Sequence, residues 1–193
     1  MQSWPFLPDV PLQPVGQITT EFSVRGITNF RAAGRYFHYL PYGRNSDRSD
    51  FRLVLPEGRG TCSTKHALLA ELAREQNLPV VLTLGIYEMH ERNTPGVGVV
   101  LNRYRLQYIP EAHCYLRYEG VRIDITRSGA DPTEPIGRFL HEEAIVPAQI
   151  SDYKVQLHQQ FLRSWLNTAD QVGGHSFAEV WKIREECIAA LAQ

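Results

Sequence analysis

The stretch Glu57-Gly58-Arg59-Gly60-Thr61-Cys62-Ser63-Thr64-Lys65-His66-Ala67-Leu68-Leu69-Ala70-Glu71-Leu72 decides how the chain is read. Two glycines make a turn, and Thr61 or Gly60 opens a helix running to about Gln76. Leu68, Leu69, Leu72 and Ala73 form its buried side. Cys62 therefore falls at the start of an amphipathic helix. A helix N-terminus carries partial positive charge and unpaired N–H groups. A thiol placed there ionises more easily, and the thiolate is the nucleophile. The same N–H groups can hold a developing oxyanion. One turn supplies two parts of an acyl-transfer site, and the rest of the chain has to supply a base and a group to orient it.

Both candidates lie downstream. Asn77-Leu78-Pro79 ends the helix, and Val80 to Met89 reads as a strand rich in Val, Ile and Leu. His113 lies in Ala112-His113-Cys114-Tyr115-Leu116-Arg117-Tyr118 and Asp124 in Val121-Arg122-Ile123-Asp124-Ile125-Thr126. The junction Tyr118-Glu119-Gly120-Val121 reads as a hairpin turn. His113 precedes this turn by about as much as Asp124 follows it. Alternation groups His113, Tyr115 and Arg117 on one face, and Arg122, Asp124 and Thr126 on another. A register that merges those faces lets imidazole and carboxylate hydrogen-bond.

In this order, Gly60-Thr61-Cys62 with Ala67-Leu68-Leu69, then Asn77 to Gly85, Glu111-Ala112-His113 and Ile123-Asp124 resemble the transglutaminase-like superfamily of papain-like cysteine enzymes. The resemblance covers residues 57 to 127. It implies a Cys nucleophile, a His base and an Asp orienter: Cys62, His113 and Asp124. It implies an α+β, papain-like fold, with a Cys-bearing helix packed on an antiparallel sheet. Relatives include proteases, transglutaminases, amidases and non-catalytic domains, and arylamine acetyltransferases share the Cys-His-Asp order. The sequence departs from the pattern at two places. Active relatives often carry an aromatic residue after the His, and here Cys114 follows His113. The family Asp is often followed by Pro, and here Ile125-Thr126 follow Asp124.

Outside this core, Pro5, Pro8, Pro11 and Pro14 recur every third residue, the period of a polyproline II helix. Trp4, Phe6, Leu7, Val10 and Leu12 favour an extended arm, residues 1–15, packed on its own domain or on a sister subunit. A ligand for a partner's aromatic groove is the alternative. Ile18 to Val24 alternates as a strand would, and Thr28 is placed to cap a helix to about Tyr39, with Phe30, Ala33, Phe37 and Leu40 on one stripe. Pro41 to Asp50 is a polar loop, either one wall of a cleft or a solvated connector. Asn45 and Tyr42 within it are the nearest candidates for a second oxyanion donor, after the Cys62 amide. Residues 97–108 read as partly strand and partly irregular, and Ser128 to Pro135 as loop. Helices are expected from Ile150-Ser151-Asp152 to about Asn167 and, after Gly173-Gly174, from Ser176 to about Ala192. The segment 150–193 is short for a core of its own and is expected to pack on the rest of a single domain, residues 1–193.

Cys114 alternates away from His113 and is expected in the core, as is Cys187 in the last helix. His66 follows Cys62 by one helical turn; it and His90 are expected to be surface or half-buried residues. A metal site from Cys62, His66, His113 and Asp124 lacks any compact ligand motif; His141-Glu142-Glu143 is not a zinc pattern and Gly96-Val97-Gly98 is too short for a phosphate loop. No cofactor is expected.

Composition is that of a globular protein: 193 residues, 43% hydrophobic and 21% charged, with a formal net charge of −1 that gives no general case for nucleic acid. There is no long apolar run for a membrane span, and Met1-Gln2-Ser3-Trp4-Pro5 lacks the pattern of a signal peptide. Three cysteines are too few for a disulfide framework. The expectation is a cytoplasmic protein with a free thiol, acting on a peptide or other amide-containing substrate.

Overall fold

The computed structural model describes residues 3–126, 136–168 and 174–191. The expected loop at 128–135, Gly173 and the last turn at Ala192 fall outside these. The elements are mixed α and β, as expected. Seven α-helices are described: α1 (Gln17–Val24), α2 (Phe30–Tyr39), α3 (Val54–Glu57), α4 (Cys62–Glu75), α5 (Gly98–Arg103), α6 (Asp152–Thr168) and α7 (Phe177–Ala190). The strands are β1 (Val81–Met89), β2 (Ile109–Tyr118), β3 (Val121–Ile123) and β4 (His141–Ala144). They form one sheet in the order β3-β2-β1-β4.

The hairpin between β2 and β3 forms at the expected junction. Leu116 pairs with Ile123, Arg117 with Arg122 and Tyr118 with Val121, antiparallel. Glu119 and Gly120 between them have φ of 48° and 76°. Two central residues at positive φ are what a two-residue hairpin turn of right-handed twist requires, and glycine meets that requirement without strain. β4 runs antiparallel to β1: the Leu140 amide donates to Ile86 O (2.7 Å) and the Ile145 amide to Leu82 O (2.9 Å).

Helix α4 ends as its sequence foretells. The Leu78 amide bonds Ala73 O (2.9 Å) and the Asn77 amide bonds Arg74 O (3.2 Å). Asn77 itself sits at φ 54°. This is the Schellman arrangement, with Asn at the left-handed position and Pro79 two residues later.

Two segments differ from expectation for one shared reason. Ile18 to Val24 is helix, not strand. Its N-cap, Gly16, offers no side-chain acceptor. Glu75, at the far end of α4, accepts the Ile18 amide (2.9 Å), the Thr19 amide (2.8 Å) and the Thr19 hydroxyl (2.7 Å). Residues 97–108 contain helix α5 rather than strand. Its first amide is likewise held by a carboxylate outside the helix: Glu91 accepts from Gly98 (2.6 Å), and from Gly96 (3.0 Å) just before it. Four orphan amides must be satisfied at a helix start. In both cases the acceptor lies outside the helix, so the residues of the segment alone do not show where the helix starts.

The chain divides into two compact units. One comprises Met1–Leu84, Cys114–Gly129 and Glu143–Ser151; the other comprises Gly85–His113, Ala130–Glu142 and Asp152–Gln193. Three of their boundaries fall inside β1, β2 and β4. In the first unit α4 packs against α1, α2 and α3. The proline-rich arm belongs here and docks on its own chain. Leu7 is fully buried. Leu12 and Thr28 pair (2.8 Å), as do Phe30 and Val10 (3.0 Å), and Arg31 reaches back to Leu7 O (2.9 Å). A Cβ on Gly34 would lie 2.1 Å from a Leu7 methyl, so α2 needs glycine where the arm crosses it.

In the second unit Tyr87, Met89, Val100, Leu101, Ile109, Leu162, Val180, Ile183 and Cys187 form one apolar core. Helix α7 packs on α5 and α6. Capping of α7 is by Ser176, with the Glu179 carboxylate returning the bond.

Candidate active site

Cys62 occupies the first helical position of α4. Thr61 is the N-cap and its hydroxyl accepts the Thr64 amide, while the Thr64 hydroxyl accepts the Thr61 amide (3.0 Å). This reciprocal box fixes where the helix begins. The thiol is buried at 9% exposure, its Sγ 3.9 Å from Ser63 Oγ.

The polar loop before it is not a free connector. The Gly43 amide donates to Gly60 O and the Gly60 amide to Pro41 O, both at 3.2 Å. Asn45 is buried, and both hydrogens of its amide are committed: Nδ2 donates to Glu57 Oε2 and to Arg59 O, each at 3.0 Å. Its Oδ1 accepts the Thr64 hydroxyl (2.8 Å). An NH2 group has two donors, so Asn45 has none left for an oxyanion and is withdrawn from that role. It braces the turn from behind instead. Glu57 closes the brace by accepting the Ser46 hydroxyl (2.5 Å). That bond, followed by those from Asn45 and the Ser46 amide, holds its carboxyl below the ordinary range. Gly60 is needed here because a Cβ would meet Lys65 Cγ and Val54 Cγ2 at 2.9 Å.

Asp124 lies just past β3, its side chain 36% exposed. The Asp124 amide donates to Ser3 Oγ (2.8 Å) and the Ser3 hydroxyl donates to Asp124 O (2.7 Å). Its Oδ1 accepts the Thr126 amide (2.9 Å) and the Thr126 hydroxyl. The same oxygen stands 3.7 Å from His66 Nε2.

His66 corrects the expectation of a surface or half-buried residue: it is fully buried. Its Nδ1 is 2.7 Å from Cys62 O, and the Ile125 amide donates to Nε2 at 2.9 Å. A carbonyl only accepts and an amide only donates, so the proton is on Nδ1 and the lone pair on Nε2. One neutral ring thus joins the peptide of the candidate nucleophile to the peptide after the candidate acid. Lys65 is fully buried too, and its ammonium donates to Leu40 O (2.6 Å) and Thr126 O (2.9 Å). Nothing local in the sequence assigns Ser3, Lys65 or His66 this role. The only hint was the four-residue spacing of His66 from Cys62, and nothing local marks a lysine that will be buried.

His113 lies on β2 and is buried at 8% exposure. Its ring meets Tyr87 edge-on, with centroids 5.9 Å apart. Strand alternation puts His113 on the same face of β2 as Glu111 and Tyr115. That stretch of β2 is firmly anchored. Arg184 grips Glu111 with two bonds (2.7 and 2.5 Å), and His158 bonds Pro110 O (2.8 Å). Burial alone would raise the Glu111 carboxyl. The charges of Arg184 and His158, the Arg184 hydrogen bond and the Lys154 charge outweigh it and hold the group at about 2. Burial keeps His158 below the ordinary histidine range, against the pull of Glu111.

Cys114 and Cys187 are core residues, as expected, both fully buried. Burial, then the Glu111 charge, pushes the Cys187 thiol up to about 12. Among the described residues, no three His, Cys, Asp or Glu side chains gather as a metal site requires, and no helix is long and apolar enough to cross a membrane.

No protein-family model, curated protein or solved structure matches this chain.

Proposed function

We propose that the protein is a transglutaminase-like thiol enzyme acting at an amide or isopeptide bond. The observation that carries this is Cys62 at the first position of a capped helix whose opening turn is tied, through His66, to the segment bearing Asp124. In the proposed cycle the Cys62 thiol loses its proton to His113, and sulfur bonds the substrate carbonyl carbon. The C–N bond then breaks, and the imidazolium returns the proton to the leaving amine. A thioester remains on Cys62. Water or a second amine attacks it, His113 takes that proton, and the thiolate leaves. Asp124 orients the His113 imidazole and favours its charged form. The Cys62 amide is one donor to the oxyanion. Peptides and other amides fit this chemistry, and it needs no cofactor. Acyl transfer from a thioester donor uses the same three residues.

Site-resolved alkylation with iodoacetamide across a pH series tests the proposal on the folded protein. Cys62 should react well ahead of Cys114 and Cys187 and should keep reacting at a pH where an ordinary thiol stops. His113→Ala should remove most of that advantage and Asp124→Asn part of it. A Cys62 that is inert, or that behaves as an ordinary thiol with and without His113, would leave a non-catalytic binding module of the same type as the better account.

A further inference from the structure

We infer that His66 is the positioning residue of this site, holding Asp124 in register with Cys62; the inference rests on the thiol-enzyme reading above. Strand β3 ends at Ile123. Beyond that residue, β-ladder pairing no longer dictates where the Asp124 carboxylate goes. Three side chains take over the next three peptides. Ser3 bonds the amide and carbonyl of Asp124, His66 accepts the Ile125 amide, and Lys65 bonds the Thr126 carbonyl. Lys65 and His66 both lie in the opening of α4, so the segment is registered to the Cys62 helix. His66 has a second bond that ties it to Cys62 itself, from Nδ1–H to Cys62 O.

The tautomer matters for what His66 does not do. Nε2 uses its lone pair on the Ile125 amide, so it cannot donate to Asp124 Oδ1 at 3.7 Å. In this arrangement the ring is neutral and donates no hydrogen bond to the carboxylate. A protonated His66 would turn an N–H toward the Ile125 N–H and lose that bond. His66 is thus a spacer with one donor and one acceptor, built between two main-chain groups. Glutamine has one of each at similar reach; leucine fills comparable volume with neither.

The test is the pH profile of Cys62 alkylation in wild type, Asp124→Asn, His66→Leu, His66→Gln and the His66→Leu/Asp124→Asn double variant, with circular dichroism to confirm folding. His66→Leu should move the profile upward as Asp124→Asn does, by about one pH unit, or roughly tenfold in rate below the midpoint. His66→Gln should retain most of the wild-type profile. In the double variant, the leucine should add nothing to the asparagine, because it acts through Asp124. A folded His66→Leu with a wild-type profile overturns the inference, and so does an additive double variant. Both outcomes leave the enzyme reading intact, provided Asp124→Asn still shifts the profile. A wild-type Cys62 behaving as an ordinary thiol removes the enzyme reading and the inference with it. Should His66→Leu not fold, histidine 15N spectra of the wild-type protein decide. The Nδ1–H tautomer is expected for His66, and an Nε2–H or doubly protonated ring refutes the arrangement.

Discussion

Replacing Glu111 with Gln should cost about 3 kcal/mol at neutral pH, and most of that cost should vanish in acid. Glu111 is buried and paired through two bonds to Arg184, whose side chain is 12% exposed. The carboxyl lies at about 2 against an ordinary 4.5. At about 1.4 kcal/mol per pH unit, that gap is worth about 3 kcal/mol of folded-state preference for the charged form. An independent route agrees: removing one partner of a buried ion pair costs about 3–5 kcal/mol, because the other charge stays buried. The lower end applies, since Glu185 still bonds Arg184 at 2.7 Å.

The sign follows from the lowered carboxyl. Its contribution is complete above the unfolded value near 4.5 and is lost as pH falls from there through about 2. Wild type and Glu111→Gln should therefore differ by about 3 kcal/mol at pH 7 and converge toward pH 2. Urea unfolding followed by tryptophan fluorescence is the assay, because Trp165 and Trp181 sit in the same unit and Arg184 lies over Trp181, 5.5 Å from its ring centroid. In thermal unfolding the loss corresponds to about 6–12 °C. A difference under about 1 kcal/mol at pH 7, or one that persists unchanged into acid, refutes the reasoning.

Cys114→Ala should lower stability by about 1 kcal/mol in denaturant titration and leave Cys62 alkylation unchanged, because Cys114 is a fully buried neighbour on the opposite face of β2 from His113. Thr61→Ala removes the acceptor of the Thr64 amide and should cost about 1 kcal/mol, read as a lower urea midpoint at unchanged slope. Gly34→Ala places a methyl on Leu7 and should loosen the N-terminal arm. The expected readout is faster proteolysis before α1 and a stability loss of about 1–3 kcal/mol; an arm as resistant as wild type would show that Leu7 repacks without leaving.

Much of the fold was legible because its signals are local. The glycine turn before Thr61 announces the start of α4, and Asn77 before Leu78-Pro79 announces its end. Glu119-Gly120 marks a turn that two positive-φ residues alone make tight, and Ser176 after the glycine pair marks the start of α7. In each case the residues that satisfy the orphan backbone groups are the neighbours of those groups. The alternation that sends Cys114 into the core is likewise local, since successive strand residues must face opposite ways.

What only the tertiary structure decided is every case where the partner is remote in sequence. Ile18 to Val24 is helical because Glu75, more than fifty residues away in the chain, caps it. The arm's apolar residues could have served a partner, and the close crossing over Gly34 made Leu7 internal. Asn45 could have been an oxyanion donor until Glu57 and the Arg59 carbonyl took both its hydrogens. The candidate site divides the same way. Cys62 at a helix start, His113 on a strand and Asp124 after a hairpin are visible from residue type and spacing. The bonds from Ser3, Lys65 and His66 that hold the Asp124 segment are not, because a buried polar group is recognised by its partners, and those partners are brought to it only by folding.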